Sequence, residues 1–319
     1  MEKEMKYLII LITYISISIA ADGKIGGVTY FNYTNAEEES AFNFQRQYFG
    51  YGGDISDQVS FKILFDVGRT NNKLLYTWSV KENDSLKVTE DTRLVTYLKK
   101  AQINYKSSLG IFNFGLIGMN TYNIQEKNWG YRFIEKSAID KYGFSATADI
   151  GVGFSKSLID NLNLSLLFVN GEGFKKPQGD KYHKIAFNAT YGEGNLNKND
   201  GYNTGLVYTT EQTDTEPITM TSIFGGFAGM GLRLGGEYDM QTKDGINSNI
   251  ISVSANYELR DKIDVFVRYD IYDGDTSIEN DGENYLVTGI VLTCDGGISV
   301  APNVRMTTSE DDSDSSTEY

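Results

Sequence analysis

Residues 59–69 read Val59-Ser-Phe-Lys-Ile-Leu-Phe-Asp-Val-Gly-Arg69. Side chains alternate faces along an extended strand. Phe61, Ile63, Phe65 and Val67 therefore share one face, and Lys62, Leu64, Asp66 and Gly68 the other. The same split recurs at 263–272, where Ile263, Val265, Val267, Tyr269 and Ile271 oppose Asp264, Phe266, Arg268, Asp270 and Tyr272. At 230–240, Met230, Leu232, Leu234, Tyr238 and Met240 oppose Arg233, Glu237 and Asp239. Segments 144–155, 184–191, 251–258 and 298–307 divide likewise. The apolar face is wide and carries no charge. A lipid-facing band requires this, because a Lys or Arg at the bilayer midplane costs about 2–4 kcal/mol. A half-buried soluble sheet alternates too. Repetition of the pattern over membrane-length segments, each closed by a short Asn/Asp/Gly/Ser cluster, favours a transmembrane antiparallel β-barrel.

Extending the pattern gives fifteen strands: 24–34, 41–52, 58–69, 94–106, 109–120, 143–156, 161–171, 182–192, 201–211, 217–228, 229–241, 248–259, 262–273, 284–294 and 297–307. Short connections at 53–57, 107–108, 157–160, 260–261 and 295–296 alternate with longer ones at 70–93, 121–142, 172–181, 242–247 and 274–283. That is the arrangement of short periplasmic turns and long external loops. The segment 193–200 is too long for a tight turn on its side. Bacterial single-chain barrels have even strand counts, so the expected total is about 16, with the last strand missing. The acidic tail from Ser309 to Tyr319 falls where an eighth external loop belongs.

Residues 1–20 have the layout of a secretory signal. Lys3 and Lys6 precede an apolar stretch from Tyr7 to Ile19, and Ser18-Ile19-Ala20 supplies small residues at the cleavage point. The run is too short for comfortable use as a membrane anchor. The barrel domain is then 21–319. A net charge of −14 argues against nucleic acid as a partner. Cys294, the single cysteine, cannot form an internal disulfide. Tyr (22) and Phe (17) are abundant, as strands and interfacial girdles favour, while Pro (3) is rare, as ladder interiors demand. Pro302 alone falls inside an expected strand, which implies a bulge or a ladder-free position there.

Signal peptide, strand spacing and Asp/Asn-rich turns together resemble the Gram-negative porins. Ala41-Phe-Asn-Phe44 with Tyr48-Phe-Gly-Tyr51, Trp129-Gly-Tyr-Arg-Phe-Ile-Glu-Lys136 and Ile298-Ser-Val-Ala-Pro-Asn-Val-Arg305 look like stretches of porins distantly similar to the phosphate-selective group. The resemblance is architectural and covers essentially the whole mature chain. It implies an outer-membrane location, passive passage of ions and small hydrophilic solutes, and a homotrimer. It also implies that the third long loop, 121–142, folds inward and narrows the pore. Glu126, Lys127, Arg132, Glu135, Lys136 and Asp140 would then bring both signs of charge to a constriction, beside Trp129 and Tyr131. Facing charges and the diameter would set ion selectivity.

Strand parity puts further charges on the lumen wall. The basic ones are Lys62, Lys100, Lys106, Lys184, Arg233, Arg268 and Arg305. The acidic ones are Asp66, Asp149, Glu237, Asp239, Glu258, Asp264 and Asp270. Anion-specific pores use rings of Arg and Lys, so this balanced wall predicts a general or weakly selective pore. The acidic external loops, Glu37-Glu38-Glu39 among them, would draw cations to the mouth or share divalent ions with lipopolysaccharide and lipid headgroups. Their bland role is solubility.

Catalysis is disfavoured. His183 is the sole histidine, and no Ser sits in a nucleophile elbow. No His or Cys pair can build a zinc site, and Gly225-Gly-Phe-Ala-Gly-Met-Gly231 lacks the Lys-Ser/Thr of a phosphate cradle. It reads instead as a tight turn between strands. No enzyme activity, cofactor or metal is expected. The rival readings are a closed-lumen barrel serving as adhesin, receptor or anchor, and a soluble periplasmic β-protein.

Overall fold

The computed structural model describes residues 23–36, 40–69, 74–79, 85–90, 92–311 and 315–318. The signal expected over 1–20 and the acidic run 37–39 lie outside the described residues. Among those described, no helix is long and apolar enough to cross a membrane.

The chain is a meander of antiparallel strands. It begins with β1 (Lys24–Asn35), β2 (Ser40–Asp54) and β3 (Val59–Arg69), then a separate two-stranded hairpin, β4 (Leu74–Ser79) and β5 (Ser85–Glu90). The main sheet resumes with β6 (Leu94–Lys106) and β7 (Ile111–Gly118). Two short helices, α1 (Asn123–Trp129) and α2 (Ala138–Lys141), lie in the connection to β8 (Ala148–Ile159). There follow β9 (Leu162–Val169), β10 (Lys184–Gly192), β11 (Gly201–Glu211), β12 (Ile218–Gly229), β13 (Leu232–Lys243) and β14 (Ile246–Arg260). The last are β15 (Ile263–Asp273), β16 (Glu283–Cys294), β17 (Ile298–Val300), β18 (Asn303–Ser309) and β19 (Ser315–Glu318). β3 pairs directly with β6, so the hairpin is an insertion. β17 and β18 both pair with β16 and are one strand broken in the middle. Counted this way the barrel has 16 strands, as the spacing predicts. Among the described residues no ladder joins β1 to β18 or β19, and the ring is nearly closed.

The faces are inverted relative to a soluble sheet. Val267 (40% exposed), Leu234 and Met240 point outward, while Asp239, Arg268 and Asp270 point inward with at most 1% exposed. An apolar exterior over a polar interior suits strands that leave no backbone group unpaired in lipid.

Three expectations are corrected, and the one for Pro302 is met. The sixteenth strand is not missing: Ser315–Glu318 pairs with β18 from Thr308↔Ser315 to Arg305↔Glu318. The expected long loop at 242–247 is a two-residue turn, Asp244-Gly245, with φ of 53° and 79°. Residues with positive φ at both central positions match the twist of flanking strands. The 70–93 loop contains the β4–β5 hairpin. Pro302 sits in the break between β17 and β18, where no ladder N–H is required of it, and its carbonyl accepts from Ile290 N–H at 3.1 Å.

One irregularity matters for function. On β6, Lys100 pairs with Leu64 and Leu98 with Phe65, so Lys99 is an extra, bulged residue. A bulge resets the alternation. Tyr97 and Lys99 on one side of it, and Lys100 on the other, all turn inward.

Candidate functional site

The connection from β7 to β8, residues 119–147, folds into the barrel. Asn120 roots it: its amide donates to Ser165 Oγ at 3.0 Å and to the carbonyls of Ser165 and Ala186, and Asn188 donates back to Asn120 O at 2.8 Å. α1 then lies on β12 and β13. Gln125 donates to Ser222 Oγ at 3.2 Å, and Asn128 and Asn203 exchange two amide bonds of 2.9 Å. Gly226 and Gly235 make this approach feasible, since a Cβ on either would strike Asn128. The glycine-rich stretch is thus mainly a seat for α1. Only Met230-Gly231 forms a turn, with φ of 56° and 75°.

α1 ends at Gly130 in the left-handed region (φ 80°), its N–H bonded to Glu126 O at 2.8 Å. The chain beyond it is pinned to successive strands. Asn256 donates to Trp129 O at 2.9 Å, Tyr131 to Asp264 at 2.8 Å, Arg305 to Ile134 O at 2.7 Å and Tyr285 to Glu135 at 2.9 Å. Arg268 donates to Lys136 O. Trp129 and Tyr131 meet Phe266 edge-on, with centroids 5.8 and 5.6 Å away. Ala138 and Ile139 are fully buried in a cluster with Val207, Met220, Phe224 and Ile250. The 193–200 segment also turns inward beneath α1. Leu196 is buried, Lys127 donates to Gly194 O at 3.2 Å, and Arg233 donates to Asn197 at 2.9 Å. The excess length noted in the sequence is used in this way.

The predicted constriction residues divide. Trp129 and Tyr131 are buried against the wall, and Tyr131 borders a 270 Å³ cavity between the 193–200 segment and Asp264. Lys127 and Glu135 are tied to neighbouring backbone or wall groups, with Glu135 3.7 Å from Arg305, whereas Lys136 is held through its backbone, its N–H bonded to Glu135 and its carbonyl to Arg268. Glu126, Arg132 and Asp140 form one group on the loop's opposite side, with Arg132 3.3 Å from Glu126 and 3.6 Å from Asp140. Burial pushes the Glu126 carboxyl above the usual carboxylate range, although Arg132 pulls it the other way.

The predicted wall residues divide too. Asp239, Arg268 and Asp270 face inward but are covered by the loop, and Arg268 holds Asp270 in a bidentate pair at 2.7 and 2.8 Å. Glu237 has its Oε2 buried, and Asp264 takes the Tyr131 hydroxyl. Asp149 is buried as well and accepts N–H bonds from Ile150, Gly171 and Gly173 at 2.7, 2.7 and 3.2 Å, a structural role in holding the next loop. Lys184 pairs with Glu211 at 2.8 Å. Arg233 lies over the Tyr131 ring, and Glu258 is exposed beside the Gly231 turn. Arg305 braces the loop through Ile134 O.

On β2, β3 and β6 a different set remains. Asp66 is fully buried, with Arg46 at 2.8 Å, the Tyr97 hydroxyl at 3.1 Å and Lys99 at 3.6 Å. Lys62 and Lys100 have no ion pair among the described residues. Glu126 lies in the field of both Lys99 and Lys100, which places the loop's charged face opposite this wall. Towards the short turns the wall opens into a 790 Å³ cavity lined by Asp54, Asp57, Gln102, Asn104, Lys106 and Asn113. Arg46 and Lys99 escaped the parity reading. Each sits at a strand irregularity, one near the shift at Tyr30/Phe31 on the β1–β2 ladder and one at the β3–β6 bulge.

No protein-family model and no curated protein sequence matches this chain. Solved structures do. OmpT of Vibrio cholerae, expressed in the outer membrane, aligns with TM-score 0.61 at 12% identity over 94% of this chain and 97% of that one. An anion-selective porin from Comamonas acidovorans gives 0.59 at 11%, covering 93% and 97%. The outer-membrane channel DcaP of Acinetobacter baumannii gives 0.56 at 11%, covering 95% and 99%. At these identities the likeness is one of fold, that of porin-like outer-membrane barrels.

Proposed function

We propose that this chain is an outer-membrane porin through which ions and small hydrophilic solutes diffuse passively. The observation that carries the reading is the one-sided seat of the inward loop. It is held by hydrogen bonds and apolar packing to β11–β18, while polar and charged side chains of β2, β3 and β6 line open space beside it. A barrel with an apolar exterior, a polar interior and a partial obstruction can pass water-soluble molecules limited by size and charge. The fold neighbours include proteins named as porins and channels, one of them in a trimer form, which supports the outer-membrane location and a trimeric assembly; lipid and lipopolysaccharide surroundings follow from that location. The rival closed-lumen adhesin or anchor needs a plug on the β2–β6 side as well.

Proteoliposome swelling tests this. Purified, folded protein should swell vesicles in isotonic sugar solutions, at rates that fall as the sugar grows. Vesicles that stay unswollen, with the protein demonstrably folded and inserted, would overturn the porin reading.

A further inference from the structure

We infer that the pore selects small anions, because the inward loop hides most carboxylates of one wall and leaves Arg46, Lys62 and Lys100 of the other within reach of the passage. The inference rests on the porin reading and names its preferred solute class. It departs from the balanced wall that strand parity predicts.

Two observations carry it. First, the middle of the acidic wall is covered. Asp239 and Asp270 have no exposed surface, and Arg268 is paired with Asp270; Asp264 takes the Tyr131 hydroxyl and, with exposed Glu258, lines the separate 270 Å³ cavity beside Arg233. Second, the open wall is enriched in cations by the β6 bulge. Arg46, Lys62, Lys99 and Lys100 stand there around one carboxylate, Asp66, which is fully buried with Arg46 and Lys99 beside it, while Lys62 and Lys100 carry no ion pair among the described residues; Asp54 and Asp57 join Lys106 farther along, at the short-turn end. Lys99 is held over the Tyr48 ring at 4.7 Å, a contact that keeps the ammonium in place without neutralising it. Across the gap Glu126 and Asp140 share Arg132, so the loop side offers one uncompensated negative charge. The passage is therefore lined by a net positive strip in a low-dielectric wall, where a field acts more strongly than in water. The acidic external loops act from farther off, and charges separated by more than roughly 8 Å are largely screened at physiological ionic strength.

The test is single-channel recording in a planar bilayer under a KCl gradient. Discrete steps with a reversal potential of the sign set by chloride are expected. The variant Lys62→Gln/Lys100→Gln should roughly halve the chloride-over-potassium permeability ratio or lower it further, as loss of lining charge requires. Lys62→Arg/Lys100→Arg should keep the ratio, which separates charge from shape. Discrete steps with a potassium-directed or null reversal would overturn the anion inference and leave the porin reading standing. A ratio unchanged in the Gln variant would also overturn it. Silence from folded, inserted protein would overturn both.

Discussion

At the scale of single residues, Arg268 shows what it costs to hide a charge behind the inward loop. It is 1% exposed, grips Asp270 with two bonds and donates to Lys136 O, so it joins wall, loop and buried carboxylate at one point. Removing one partner of a buried pair leaves the other charge uncompensated, at a cost of about 3–5 kcal/mol. Arg268→Ala should lower the stability of the micelle-folded barrel by that order in urea titration. A loss below about 1 kcal/mol would show that Asp270 is not confined as described. Glu126 governs a second residue-scale effect. Its carboxyl is raised by burial, and it faces Arg132 and Asp140 from the loop and Lys99 and Lys100 from β6. A raised carboxyl takes up its proton at higher pH than a free glutamate, so acidification removes its charge first. Chloride preference should therefore rise as pH falls through mild acid, and Glu126→Gln should show the higher preference at neutral pH and lose that titration. A wild-type ratio flat across this range would contradict the assignment.

At the scale of elements, the inward loop is fastened by its aromatic side and by α1. Trp129 is 3% exposed, packs on Phe266 and Tyr131, and donates from Nε1 to Glu135 O at 3.0 Å. Truncating a buried Trp to Ala costs about 3–5 kcal/mol. Here that loss falls on the docking of the loop, so Trp129→Ala should give a larger and noisier conductance. An unchanged conductance would mean that the loop is held elsewhere. Gly235→Leu should act similarly, by pushing Asn128 off the wall.

These elements also show how far the sequence could be read. The alternation at 59–69 and 263–272 revealed both faces, because lipid outside and water inside impose opposite chemistry on alternate residues. It failed where a strand gains a residue. Lys99 adds one inward charge without altering composition, and a bulge leaves no mark in a single sequence. The Asp244-Gly245 turn did carry a signal, the Asp-Gly pair between alternating strands, but the alternation of long and short connections argued for a loop there. The seven bases and seven acids counted on the wall do not share one exposure: Asp239, Arg268 and Asp270 are covered, while Lys62 and Glu258 are exposed. Parity says which side a side chain faces, and only the folded loop decides which of those side chains it covers.

At the scale of the whole molecule, a nearly closed ring of 16 strands surrounds an inward loop seated mainly on one side. The short-turn end opens into the 790 Å³ cavity, and Lys62, Lys100 and Lys106 lie along the same wall. The central claim is that water and solutes follow that wall. Cysteine accessibility during single-channel recording tests it most directly, since Cys294 is the chain's only cysteine and is exposed, so Cys294→Ser gives a clean background. In that background Lys62→Cys should be reached by a small water-soluble, negatively charged thiol reagent, and each modification should cut the step size and shift the reversal potential towards potassium. Met240→Cys, on the outward face, should leave both unaltered. Unmodified steps at Lys62→Cys, in a folded channel that still conducts, would contradict the account.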